Sequence, residues 1–143
     1  MTEPITVVAG TIGTDIHSMG LRIVEHSVRN AGFKVVSLGV QVSQQEFIDA
    51  AKETRCAAIL VSSLGGHAAL DCEGFRDKAR EAGLGGILLY VGGNLVVGPS
   101  RWEEVENKFK QFGFDRVYPQ STLPAQIISD LTQDLKAKGF KVA

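Results

Sequence analysis

Apolar and polar positions follow two rhythms that trade places along the chain. Five short runs stand out: Ile5 to Ala9, Lys34 to Leu38, Ala57 to Ser62, Ile87 to Val91 and Arg116 to Tyr118. Most are near-continuous Val, Ile and Leu rather than alternating, the pattern of strands covered on both faces. Between them apolar residues recur at helical spacing. Met19, Ile23, Ser27 and Ala31, with Val24 and Val28, form one stripe that ends before Gly32. Ser43 and Glu46 have capping-box spacing ahead of Phe47, Ile48 and Ala51. Phe75, Ala79 and Ala82 mark a third helix stopped by Gly83. Ser100 and Glu103 repeat the capping-box spacing ahead of Trp102, Val105, Phe109 and Phe112, whose aromatic members are read as core. Pro124 opens a last helix with Ile127, Ile128, Leu131 and Leu135 facing inward and Gly139 ending it.

Strict alternation of strand and helix with short connections predicts an α/β fold, a parallel sheet between two helical layers joined by right-handed crossovers. Five such units suit a flavodoxin-like (Rossmann-like), doubly wound sheet of strand order 2-1-3-4-5, in which ligands bind outside the carboxyl ends of the strands. The 143 residues are enough for one domain, expected over residues 1–143.

Composition narrows the function classes. With 44% hydrophobic and 22% charged residues the chain has the means to build a core, so it is not read as disordered. Fifteen Lys and Arg against sixteen Asp and Glu leave no basic surplus for phosphates, which argues against nucleic acid as a partner. The apolar runs fall far short of the roughly 20 residues that span a bilayer. The start, Met1-Thr2-Glu3-Pro4, has neither a charged leader nor an apolar signal core, so a cytoplasmic location without membrane association is expected. Cys56 and Cys72 make neither a disulfide framework nor a metal cluster.

The chemistry-bearing residues gather after strands one, three and four. The first connection, Gly10 to Gly20, holds Asp15 and His17; the next runs Ser62-Ser63-Leu64-Gly65-Gly66-His67; the third runs Gly92-Gly93-Asn94-Leu95-Val96-Val97-Gly98. Ser121 and Thr122 add hydroxyls after strand five. Asp15 is close enough in sequence to fix the tautomer of His17, leaving its other ring nitrogen as a metal ligand or base. A zinc shell with His67 lacks a third ligand, and a serine nucleophile at Ser62 or Ser63 lacks a nucleophile elbow. A lone His-Asp pair suits one axial position on a metal whose other ligands belong to a cofactor. Two missing Cβ atoms at Gly92 and Gly93 would let a bulky group lie against the backbone. Gly83 to Gly86, at the opposite edge, reads as a structural turn.

Asp15-x-His17-x-x-Gly20, then Ser62-x-Leu64, then Gly92-Gly93 resembles the cobalamin-binding signature of base-off/His-on corrinoid proteins. With Ile59 to Leu64, Gly86 to Asn94 and Asp115 to Tyr118, nearly the whole chain is similar to the small (sigma) subunit family of glutamate (methylaspartate) mutase. That resemblance implies an isomerase subunit that binds adenosylcobalamin and is inactive alone. His17 is then the lower axial cobalt ligand, replacing the cofactor's own dimethylbenzimidazole, with Asp15 hydrogen-bonded to it. The implied cofactor-binding set is Thr14, Asp15, Ile16, His17, Ser18 and Gly20, then Ser62, Ser63 and Leu64, then Gly92, Gly93, Asn94, Leu95 and Val96. Gly20 would leave room for the displaced nucleotide tail, while Ser62, Leu64, Gly92 and Gly93 line its channel. A larger barrel-type subunit, in a heterotetramer, would hold most of the small-molecule substrate while glutamate and 3-methylaspartate interconvert by a radical route. Gly65-Gly66-His67-Ala68 and the segment after Tyr118 depart from the family pattern. Two alternatives share parts of it: a corrinoid carrier for methyl transfer, and a flavodoxin-like or receiver module.

Overall fold

The computed structural model describes residues 4–13, 19–63, 68–95, 101–120 and 122–142. Five parallel strands are β1 (Thr6–Thr11), β2 (Lys34–Ser37), β3 (Ala58–Ser63), β4 (Leu88–Gly93) and β5 (Arg116–Tyr118), in spatial order β2-β1-β3-β4-β5. The helices are α1 (Met19–Asn30), α2 (Gln44–Thr54), α3 (Ala68–Cys72), α4 (Phe75–Glu81), α5 (Trp102–Gln111) and α6 (Pro124–Ala137). The expected fold class and strand order are those observed. β1, β3 and β4 run one or two residues further toward the carboxyl edge than their apolar runs, so Gly92 and Gly93 belong to β4 itself.

The helices divide the sheet into two unequal sides. Ile59, Val61, Leu89 and Val91 pack with Phe47, Phe75, Phe109 and Phe114 in one core, whose rings meet at tilted or edge-on angles. Leu60, Leu88 and Tyr90 pack with Leu21, Val28, Leu131 and Leu135 of α1 and α6 in the other. Period-two alternation along β3 and β4 accounts for this sorting.

Local signals in the sequence met different outcomes. The capping box at α2 forms: Ser43 Oγ accepts from the Glu46 N–H, and Glu46 Oε1 accepts from the Ser43 N–H, both at 3.1 Å. At α5 the N-cap is Arg101 and no side chain caps it, so the Ser100–Glu103 spacing is one residue out of step with the helix start. Five-residue α3 was not expected, being too short to show a periodic stripe. On α1 the buried face is Leu21, Glu25 and Val28, with Val24 half-buried, while Ile23 is 54% exposed. Of the expected stripe, Ile23 therefore lies off the buried face, while Val28, Val24 and Ala31 pack into it.

The amino-terminal edge is held by one buried arginine. Arg76 at the start of α4 donates to the carbonyls of Gly113 (2.9 Å), Gly85 (3.1 Å) and Ile87 (2.7 Å), and to Asp115 Oδ2 (2.8 Å). Asp115 Oδ2 also accepts from the Leu89 N–H at 2.9 Å. Gly113 has φ +100°, and a Cβ there would lie 2.1 Å from the Arg76 Cβ. Each guanidinium nitrogen thus donates to a carbonyl or carboxylate, which is how a buried guanidinium is tolerated.

Candidate functional site: a cleft between the first and last helices

The strand register builds the floor of the site. Ser62 of β3 pairs with Gly92 of β4, which pairs with Tyr118 of β5. Two residues back toward the amino edge, Leu60, Tyr90 and Arg116 stand in a parallel row. Side chains of one row in a parallel sheet point the same way, so a glycine at the centre of the outer row leaves a trough between Ser62 and Tyr118. α1 and α6 flank this trough without closing it. The result is a cleft of about 410 Å³, within the usual range of small-ligand sites. Leu21, Ile23 and Val24 form one wall, Pro124 and Ile127 the other, and Gln120 and Thr122 bring polar groups to the lining. Its surface is chiefly apolar.

Gly93 supports the trough from within β4. Its φ is +113°, and a Cβ there would sit 2.1 Å from the Ser63 carbonyl oxygen, so only glycine lets β4 keep its pairing with β3 to the edge. At Gly20, by contrast, a Cβ would meet nothing within 4 Å. A side chain there would enter the opening beside α1 rather than clash with protein.

Beneath the cleft lies a polar lattice that ties α6 to the sheet. Tyr90 donates its hydroxyl to Asp134 Oδ2, and Tyr118 donates to Asp130 Oδ2 at 2.8 Å. Arg116 donates from Nε and Nη2 to the two oxygens of Asp134 (2.8 and 2.9 Å), with Nη1 3.5 Å from Asp130. The Tyr90 and Tyr118 rings meet edge-on at 5.8 Å. Burial first, and then the neighbouring carboxylate, raises both phenols well above their ordinary value. The guanidinium of Arg116 holds Asp134 below the usual carboxylate range. Both tyrosines line the cleft, yet their hydroxyls are committed to α6, so these two side chains offer it ring carbon rather than donors.

Of the residues expected at the site, Gly20, Ser62, Gly92 and Gly93 line this cleft together. Ser63 is buried and does not, because alternation along β3 turns it to the face opposite Ser62. Leu95 is buried in the core on the α2–α5 side, and Asn94 is exposed just beyond β4. Thr14, Asp15, Ile16, His17, Ser18, Leu64 and Val96 lie outside the described residues, as do His67 and Ser121. Among the described residues no group of three or more His, Cys, Asp or Glu is placed to hold a metal, and no helix is long and apolar enough to cross a membrane. Burial pushes the Cys56 thiol up to about 11 and that of Cys72 to about 12, so neither is a nucleophile at neutral pH. Leu60, Tyr90 and Ile127 were not expected at the site. The first two sit two residues before Ser62 and Gly92, and counting back by two would have found them.

Comparison with known proteins bears on what such a cleft serves. The family model of the B12 binding domain matches residues 5–117. The glutamate mutase sigma subunit of Carboxydothermus hydrogenoformans is 55% identical over 133 residues, 93% of this chain and 97% of that one. The chain belongs to the glutamate mutase sigma-subunit family. The sigma subunit of Clostridium tetani is 54% identical over 136 residues, 95% of this chain and 99% of its own. Among solved structures, a cobalamin-binding protein from Desulfitobacterium hafniense superposes with a TM-score of 0.75 at 23% identity, covering 92% of this chain and 59% of that one. At that identity the likeness speaks for the fold. Membership of the sigma-subunit family makes this chain the cobalamin-binding small subunit of an isomerase that works as a complex.

Proposed function

We propose that the chain, as one cobalamin-binding domain over residues 1–143, binds adenosylcobalamin base-off and takes the nucleotide tail into the cleft between α1 and α6. The observation that carries this reading is the fit of the cleft: an apolar trough whose centre is vacated by Gly92 and whose opening is left clear by Gly20. When bound, adenosylcobalamin supplies the radical chemistry, and the protein supplies binding and orientation. Leu21, Val24 and Ile127 exclude water from the tail, while the Ser62 hydroxyl offers a hydrogen bond at the floor. His17 would hold cobalt from below, with Asp15 fixing its ring tautomer.

A larger, barrel-type subunit completes the enzyme, in a heterotetramer in the cytoplasm, and holds the glutamate or 3-methylaspartate. Support comes from what the described site lacks. Among the described residues that line the cleft there is no arginine or lysine that would bind a dicarboxylate. The test is electron paramagnetic resonance of the Co(II) form bound to the chain labelled with nitrogen-15 histidine. The expected result is a hyperfine pattern that changes with the label; splitting from the benzimidazole nitrogen, unchanged by the label, overturns the reading. Isomerisation is expected only when the larger subunit is added.

A further inference from the structure

The cleft's end wall depends on a residue that does not line it. Tyr118 presents its ring to the cleft from β5, the short edge strand, and its hydroxyl is held by Asp130 at 2.8 Å. Asp130 is buried on α6, one turn beyond Ile127 of the cleft wall, and its other oxygen accepts from Gln126 at 3.0 Å. Arg116, 3.5 Å from the same oxygen, pairs with this carboxylate and joins it to Asp134. One carboxylate thus fixes both the ring that ends the cleft and the helix that walls it.

We infer that Asp130 is a positioning residue for the nucleotide tail, setting the width of the cleft by holding Tyr118 against α6. The inference rests on the proposed seating of the tail. Losing the bond releases the Tyr118 ring from α6 at the carboxyl end of the three-residue edge strand, while Arg116 still ties the strand's first residue to Asp134. Affinity for the tail then falls although no group touching the tail has been removed.

The experiment is a double-mutant cycle on the full chain with Asp130→Asn, Asp130→Leu, Tyr118→Phe and the Tyr118→Phe/Asp130→Leu pair. Binding of hydroxocobalamin, and of dimethylbenzimidazole riboside as the tail alone, is measured by calorimetry at a temperature where melting curves show each variant folded. Asp130→Leu and Tyr118→Phe are each expected to weaken both ligands about tenfold, the scale of one hydrogen bond to a charged group. The pair should be no weaker than either single variant, because both remove the same bond. Asp130→Asn, which keeps an acceptor, should stay within about threefold of the parent. A folded Tyr118→Phe that binds both ligands like the parent overturns the inference, as does full additivity in the pair. Failure of the unsubstituted chain to bind either ligand overturns instead the proposed seating of the tail.

Discussion

The two sides of the sheet are built to different ends. On the α2–α5 side, twenty-one hydrophobic residues are buried among the described residues, and five phenylalanines, Phe112 only partly buried, are linked ring to ring. On the α1–α6 side there are thirteen, and the carboxyl half of that side is a cleft. Where the first side meets the sheet with ring on ring, the second meets it with tyrosine hydroxyls on carboxylates. A closed apolar core supplies stability; a face held apart by a lattice of directional bonds keeps its shape without filling its space. Binding can then be tuned on one side with little effect on the strength of the other.

The largest effect should come from the packed side. Phe75 is fully buried between Phe47 and Phe114, at centroid distances of 5.8 and 5.7 Å. Phe75→Ala should cost about 3–5 kcal/mol in urea unfolding. Cobalamin affinity of the protein that remains folded should be unchanged. A matching loss of affinity would break the separation between the two sides.

A smaller effect is expected from acid. Asp134 is held below its ordinary value of 3.8, chiefly by its hydrogen bonds from Arg116. As pH falls the unfolded chain takes up this proton before the folded one. The stability this group contributes is therefore present above about pH 3.8 and is lost as pH drops through the folded value. Asp134→Asn should lower stability at neutral pH and flatten the acid limb of a stability profile measured by denaturant melts. An acid limb as steep as the parent's would place the titrating group elsewhere.

The smallest change in stability should have the opposite sign. Gly20 stands in the first turn of α1 with open space beside it. Gly20→Leu removes glycine's conformational cost, so the chain without ligand should be unchanged or more stable by up to about 1 kcal/mol. Cobalamin binding should weaken, because the new side chain enters the cleft. Unchanged affinity would sharpen the picture by moving the tail away from α1.

Much of this division was legible in the residues. The five apolar runs defined strands because their side chains are sheltered on both faces, and the strand order followed from the regular alternation. Gly92 and Gly93 were visible as a pair but not as the last two residues of β4, since a strand that ends in glycine has no apolar signature. The offset of Ile23 has a different origin. It lines the cleft, so an apolar residue at helical spacing is left exposed. The tyrosine–carboxylate lattice could not be read at all: Tyr90 and Asp134 are 44 residues apart, and only the crossover from β4 through β5 to α6 brings them together.

At the far edge of the sheet, Arg76 and Gly113 constrain how this sequence can change over generations. Any side chain at Gly113 collides with Arg76, and shortening Arg76 removes the hydrogen bonds it gives to a carboxylate and three carbonyls. Neither position has a mild first step, so a lineage would have to alter both at once or pass through a poorly folded ancestor. Substitutions tolerated near this corner should therefore be conditional on each other, while the walls of the cleft drift one residue at a time.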